Sequence, residues 1–158
     1  VTKGSTAIQV FPDLEALSHS TAAIFTNLSK SCTASGGRFA VAVSGGSTPR
    51  RLYTILSSEQ YRNSVDWSRV HFFWVDERCV PKENEESNFK TIFDTLLSRI
   101  PLPTENIHRI RGEEVPEKAA IDYEEDIRRF FGKSKLVVFD LIILGMGKDG
   151  HQVSQRQI

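Results

Sequence analysis

Phe39-Ala40-Val41-Ala42-Val43-Ser44-Gly45-Gly46-Ser47-Thr48-Pro49 is the stretch on which the reading of the fold turns. Five apolar residues read as a buried strand, two glycines break it, and Arg50 to Leu56 resumes with helical patterning. A strand that turns on glycines into a helix lets backbone N–H groups converge. The helix start adds unpaired donors and the positive end of its dipole. Ser47 and Thr48 add hydroxyls, and Pro49 suits the first helical position, where no N–H is missed. Two readings stand at this point. One is an anion cradle; the other is an ordinary strand-to-helix turn that uses Gly, Ser and Pro for backbone reasons alone. A Walker loop is excluded, because no Gly-Lys-Ser/Thr follows at the right spacing.

Outward from this stretch, strand and helix patterns alternate. Ala7 to Phe11 reads as a short strand closed by Pro12. Asp13 reads as the N-cap of a helix whose inner face carries Leu14, Leu17, Thr21, Ile24, Phe25, Leu28 and Cys32. Val70-His71-Phe72-Phe73-Trp74-Val75 is a nearly continuous apolar run, as in strands covered on both faces. Ser87 predicts the cap of a helix with Phe89, Ile92, Phe93, Leu96 and Leu97 inward, broken by Pro101 and Pro103. Ile107 to Ile110 is a weak strand. Pro116 to Phe131 reads as a helix with Ala120, Tyr123, Ile127, Phe130 and Phe131 inward, and Val137 to Leu144 as a last strand. The predicted fold class is α/β, with a largely parallel sheet and helices on both faces.

Length and composition fit one globular domain: 158 residues, 39% hydrophobic and 25% charged. Twenty basic and twenty acidic residues cancel, which argues against nucleic acid or an anionic membrane as a partner. Cys32 and Cys79 have no metal or disulfide spacing, and His19, His71 and His108 read as surface or packing residues. No stretch has the length of a membrane span and no signal pattern is visible, so a cytoplasmic location is expected. Val1 in the place of Met reads as a trimmed start.

In parallel sheets, ligands sit beyond the carboxyl ends of the strands. Three predicted strands end there in chemically capable sequence: Ser44 to Thr48, Asp76-Glu77-Arg78, and Gly145-Met146-Gly147-Lys148-Asp149-Gly150-His151. The last matches G-x-G-x-x-G, but no helix opens at Gly150 and no acidic residue follows about twenty positions on, so a dinucleotide site is rejected. His151 suits a general base, with an ordinary pKa of about 6.5. Arg78 suits a phosphate or an oxyanion.

Together these segments resemble the 6-phosphogluconolactonase family. The matching residues are Ser44 to Pro49, Trp74-Val75-Asp76-Glu77-Arg78-Cys79-Val80-Pro81 with Ser87-Asn88, and Leu144 to His151. The related glucosamine-6-phosphate deaminases and isomerases share the diglycine loop and the Asp-Gly-His segment. They carry Asp-Glu-Tyr where this chain has Asp76-Glu77-Arg78, which makes them the second choice. The resemblance implies a Rossmann-like fold and hydrolysis of a small-molecule sugar phosphate lactone, with no obligatory cofactor or metal. Gly45, Gly46, Ser47 and Thr48 would hold the phosphate, with Arg78 beside it. His151 would deprotonate the attacking water, Asp76 would orient the site, and Arg78 would offset negative charge.

The match stops at the end of the chain. In the family the Asp-Gly-His segment runs through Ser into Leu-Phe-Pro. Here Gln152-Val153-Ser154 keeps only the Ser, and Gln155-Arg156-Gln157-Ile158 is unrelated. The resemblance therefore implies a family domain over 1–151 that lacks its usual last third, a divergent tail over 152–158, and weak or absent activity. The competing expectation from another class is a non-catalytic phosphosugar-binding remnant.

Overall fold

The computed structural model describes residues 7–132 and 136–146. Its elements run α1 (Leu14–Thr33), β1 (Phe39–Val43), α2 (Ser47–Leu56), α3 (Glu59–Arg62), β2 (Val70–Trp74), α4 (Asn88–Thr95), β3 (Ile107–His108), α5 (Pro116–Phe131) and β4 (Leu141–Ile142). The four strands form one sheet in the order β3-β2-β1-β4, and every pair is parallel. Phe39 stands opposite Val70 and Val43 opposite Trp74, so β1 and β2 end side by side.

Strand periodicity divides two cores. Phe39, Val41 and Val43 with Val70, Phe72 and Trp74 face one way and pack with Ala22 and Phe25 of α1, Leu52, Tyr53 and Leu56 of α2, and Ile92 of α4. Ala40, Ala42 and Phe73 face the other way, under Tyr123, Ile127, Phe130 and Phe131 of α5. The two alanines leave room there for an aromatic cluster. Phe73 meets Phe130 at 5.0 Å and Phe139 at 5.2 Å, both edge to face. Each fully buried ring such as Phe72 or Phe73 contributes roughly 1.5–3 kcal/mol by leaving water. Among the described residues, no helix is long and apolar enough to cross a membrane.

Several expectations need correction. Ala7 to Phe11 is not a strand: Ile8 and Val10 are 87% and 90% exposed, and no described strand pairs with it. An alternating pattern without a neighbour has nowhere to bond its backbone. Asp13 does cap α1, its carboxylate accepting from Ala16 N at 2.7 Å, but the buried stripe is Ser18, Ala22, Phe25, Thr26 and Ser29. Leu14 and Ile24 are exposed, and small residues take most of the buried places on α1. On α5 the inward alanine is Ala119 and not Ala120, and on α4 Phe93 lies outside the core. The helix of α2 starts at Ser47, so Pro49 is its third residue, still in the first turn where an N–H has no partner to lose. The last strand shrinks to Leu141–Ile142, and Val138, Ile142 and Leu144 are exposed. Among the described strands β4 has one neighbour only, so its apolar run is not covered on all sides.

Candidate active site

The sheet brings the first two predicted segments together at one edge. Ser44 follows the last residue of β1, and Asp76 lies two residues beyond the end of β2. Gly46 is the N-cap of α2 with φ 111°, a conformation that L side chains rarely adopt, and no side chain caps the helix. The first-turn N–H groups of α2 therefore face outward beside exposed Ser47 and Thr48. Tyr53, fully buried on the same helix, donates its hydroxyl to the Ser44 carbonyl at 2.6 Å and ties the loop back to α2.

Ser44 Oγ and Asp76 Oδ1 are buried and have no hydrogen-bond partner among the described residues. Native interiors rarely leave such groups unmatched, so each calls for a polar partner. Burial pushes the Asp76 carboxyl up from its ordinary value. Arg78 opposes this, Glu77 adds to it, and the Asn88 amide opposes it. Burial, and then the Asp76 charge, pushes the Tyr53 phenol well above its usual range, so it remains a donor. Arg78 is exposed at the rim.

Glu77 has a different task from its two neighbours. Its carboxylate accepts from Asn88 N and Arg78 N at 2.7 Å each, Phe89 N at 2.8 Å and Ser87 Oγ at 3.2 Å. It sits on the N-terminus of α4, where a negative charge is favoured. Ser87 itself caps Lys90 N at 3.2 Å, as its sequence position predicts. The Glu77 contact spans ten residues and carries no local sequence signature. Composition alone reads Asp76-Glu77-Arg78 as one cluster, whereas the structure assigns Glu77 to the scaffold.

The third segment arrives at the same place as far as it is described. β4 pairs parallel with β1, and a Cβ built on Gly145 would stand 3.9 Å from Ser44 Oγ. Gly147 to Gly150 and the predicted base His151 lie outside the described residues. Beside Thr48, Pro49 and Gly145 opens a largely apolar groove of about 450 Å³, walled by Leu17, Ile24 and Leu141 to Leu144. A polar cavity of about 690 Å³ lies between β3 and α5 and contains none of the predicted site residues. At its wall His108 bonds Asp126 at 2.8 Å and His71 at 3.2 Å, so these histidines pack as the sequence suggests. Among the described residues, no three His, Cys, Asp or Glu side chains are grouped to hold a metal ion.

Comparison with known proteins matches residues 12–155 to the family described as glucosamine-6-phosphate isomerases/6-phosphogluconolactonase. The chain belongs to this family. The chloroplastic 6-phosphogluconolactonase 3 of Arabidopsis thaliana is 44% identical over 126 residues, which are 75% of this chain and 38% of that protein. The crystal structure of devB protein superposes with a TM-score of 0.85 at 37% identity, covering 92% of this chain and 60% of that one. The 6-phosphogluconolactonase of Thermotoga maritima gives a TM-score of 0.76 at 33% identity, covering 87% and 59%. The chain thus spans well under two thirds of each of these relatives. Within the family, the parallel sheet flanked by helices is the shared framework, and the resemblance read from the three strand-end segments is confirmed.

Proposed function

We propose that this chain carries the lactone-hydrolysing site of the family and acts on 6-phospho-D-glucono-1,5-lactone. The supporting observation is the juxtaposition at one sheet edge of an uncapped helix start over Gly45 and Gly46 with Asp76 and Arg78. The N–H groups of α2 and the hydroxyls of Ser47 and Thr48 receive the phosphate, with Arg78 at the rim as a mobile counter-charge. Asp76, through an Oδ1 unpartnered among the described residues, orients the lactone or the incoming water. His151 accepts a proton from that water as its oxygen bonds to the lactone carbonyl carbon. The tetrahedral intermediate holds its negative charge near Arg78 and then expels the ring oxygen, which takes up a proton. The product is 6-phosphogluconate, with one proton released at neutral pH. A lactone is an activated ester, so a placed base and a cation suffice without a covalent nucleophile. The proposed compartment is the cytoplasm, which the free thiols Cys32 and Cys79 suit; the Arabidopsis relative is named as chloroplastic.

The test adds the purified chain to freshly generated lactone and follows acid release. The expected result is a rate above spontaneous hydrolysis that His151→Ala lowers by about 10²–10⁴-fold. Binding of 6-phosphogluconate without any such rate would reduce the chain to a phosphosugar-binding remnant. Ammonia release from glucosamine 6-phosphate would transfer it to the deaminase branch.

A further inference from the structure

The two glycines of the turn are glycines for different reasons. Gly46 has a positive φ; Gly45 is not among the positive-φ glycines, so its backbone suits any residue. What forbids a side chain at position 45 is space. A Cβ there would lie 1.8 Å from Asn88 Oδ1, 2.4 Å from its Cγ and 3.1 Å from its Cβ. Asn88 is the first residue of α4 and is 7% exposed. Its own N–H is held by Glu77 at 2.7 Å, and its Nδ2 donates to the Asp76 carbonyl at 3.1 Å. One side chain thus touches the loop after β1 with its oxygen side and the chain after β2 with its nitrogen.

Resting on the function proposed above, we propose that Asn88 is a positioning residue that sets the gap between the diglycine loop and Asp76. The loop would otherwise be free to settle against the end of β2 and close the space that a phosphosugar needs. Asn88 stands between the loop and that chain end as a fixed spacer. Its amide is fastened at one end, so it can be neither shortened nor turned without moving the loop or releasing Asp76. Its amide is also the neutral group whose replacement by a carboxylate would put a second negative charge beside Asp76.

The test is a cycle of Gly45→Ala, Asn88→Ala and the double variant, with Asn88→Asp as the shape-preserving control. Gly45→Ala is expected to lower kcat/KM at least about 100-fold, since a 1 Å displacement of a site costs that much. The double variant, which removes the Cγ and Oδ1 that the new methyl would meet, is expected to recover at least about tenfold of that loss. Asn88→Asp keeps the size of the spacer but exchanges the donor to the Asp76 carbonyl for a carboxylate oxygen, and is expected to lower kcat/KM at least about tenfold. A purely structural Asn88 would lower the denaturation midpoint of Asn88→Asp and leave kcat/KM of the folded enzyme in place. A double variant no better than Gly45→Ala overturns the proposal, as does an Asn88→Asp variant with the parent's kcat/KM. If the parent chain shows no lactone hydrolysis, the function falls separately and Asn88 is decided without turnover. The denaturation midpoint of the double variant must then exceed that of Gly45→Ala, and the Gly46 and Ser47 amide resonances must shift in Asn88→Ala. Additive midpoints with unmoved resonances refute it.

Discussion

Replacing Glu77 by Gln keeps the size of the side chain and withdraws one acceptor oxygen and one charge. The carboxylate now serves four donors through two oxygens: Arg78 N and Asn88 N on Oε1, Phe89 N and Ser87 Oγ on Oε2. A glutamine does best by placing its carbonyl at the Oε1 position, which keeps two of them. Its NH₂ then meets the N–H of Phe89 donor to donor. The Ser87 hydroxyl can turn to accept, whereas the Phe89 amide cannot. Leaving that N–H unmatched costs about 1–3 kcal/mol, and losing the charge at the start of α4 costs about 0.3–1 kcal/mol more. The sum is about 1.3–4 kcal/mol, centred between 2 and 3, with the Phe89 amide as the larger part. With a urea m-value of about 2 kcal/mol per molar, the midpoint at pH 7 should fall by roughly 1 M at constant m. A midpoint within roughly 0.2 M of the parent would refute the assignment of Glu77 to the scaffold. A large loss of turnover at unchanged stability would instead return Glu77 to the chemistry.

Two further outcomes follow from buried polar contacts. Tyr123→Phe removes a hydroxyl that donates to Trp74 O at 2.7 Å and accepts from Trp74 N at 2.8 Å; about 1–3 kcal/mol of stability should be lost, with faster exchange of the Trp74 amide, and a melt equal to the parent's would contradict this. Burial, followed by the neighbouring His108 and Arg38, depresses the His71 pKa to about 4 against the opposing Glu105. Between pH 6.5 and 4 the unfolded chain therefore binds the extra proton, and stability is full above about 6.5 and declines as pH falls. His71 is half-buried, so the screened contribution is on the order of 1 kcal/mol. His71→Gln should flatten the decline in that window, so that the parent-minus-variant stability falls as pH falls, and a difference constant with pH would show that His71 does not titrate as its setting dictates.

The parts of the molecule legible in the sequence are those fixed by neighbours along the chain. Phe39 to Val43 and Val70 to Trp74 announce themselves because buried central strands need uninterrupted apolar residues. Asp13 and Ser87 announce the helix starts they cap. The site edge followed from these, since parallel strands put Ser44 and Asp76 at the same end. What escaped depends on residues far apart in sequence. Ala7 to Phe11 has the alternation of a strand and lacks a described partner. The α1 face differs from its pattern at Leu14 and Ile24, because hydropathy weighs large apolar residues, whereas Ser18, Ala22 and Ser29 fill buried places beside Phe25. Glu77 reads with its charged neighbours, although three of its four donors lie ten to twelve residues later. Nothing in the string Gly45-Gly46 tells that the first glycine answers to Asn88 and the second to its own torsion angle.

The hydroxyl of Tyr123 has one more consequence. In a parallel strand, the N–H and C=O of a given residue point toward the same neighbour. Val75 N bonds Val43 O on the β1 side, so the two groups of Trp74 face the other way, and there β3 has ended opposite Phe73. A side chain from α5 supplies the missing rung. An intruding chain seeking to lengthen the sheet at that point finds neither a donor nor an acceptor to pair with. The strand can end ragged beside a solvent-filled crevice without becoming adhesive.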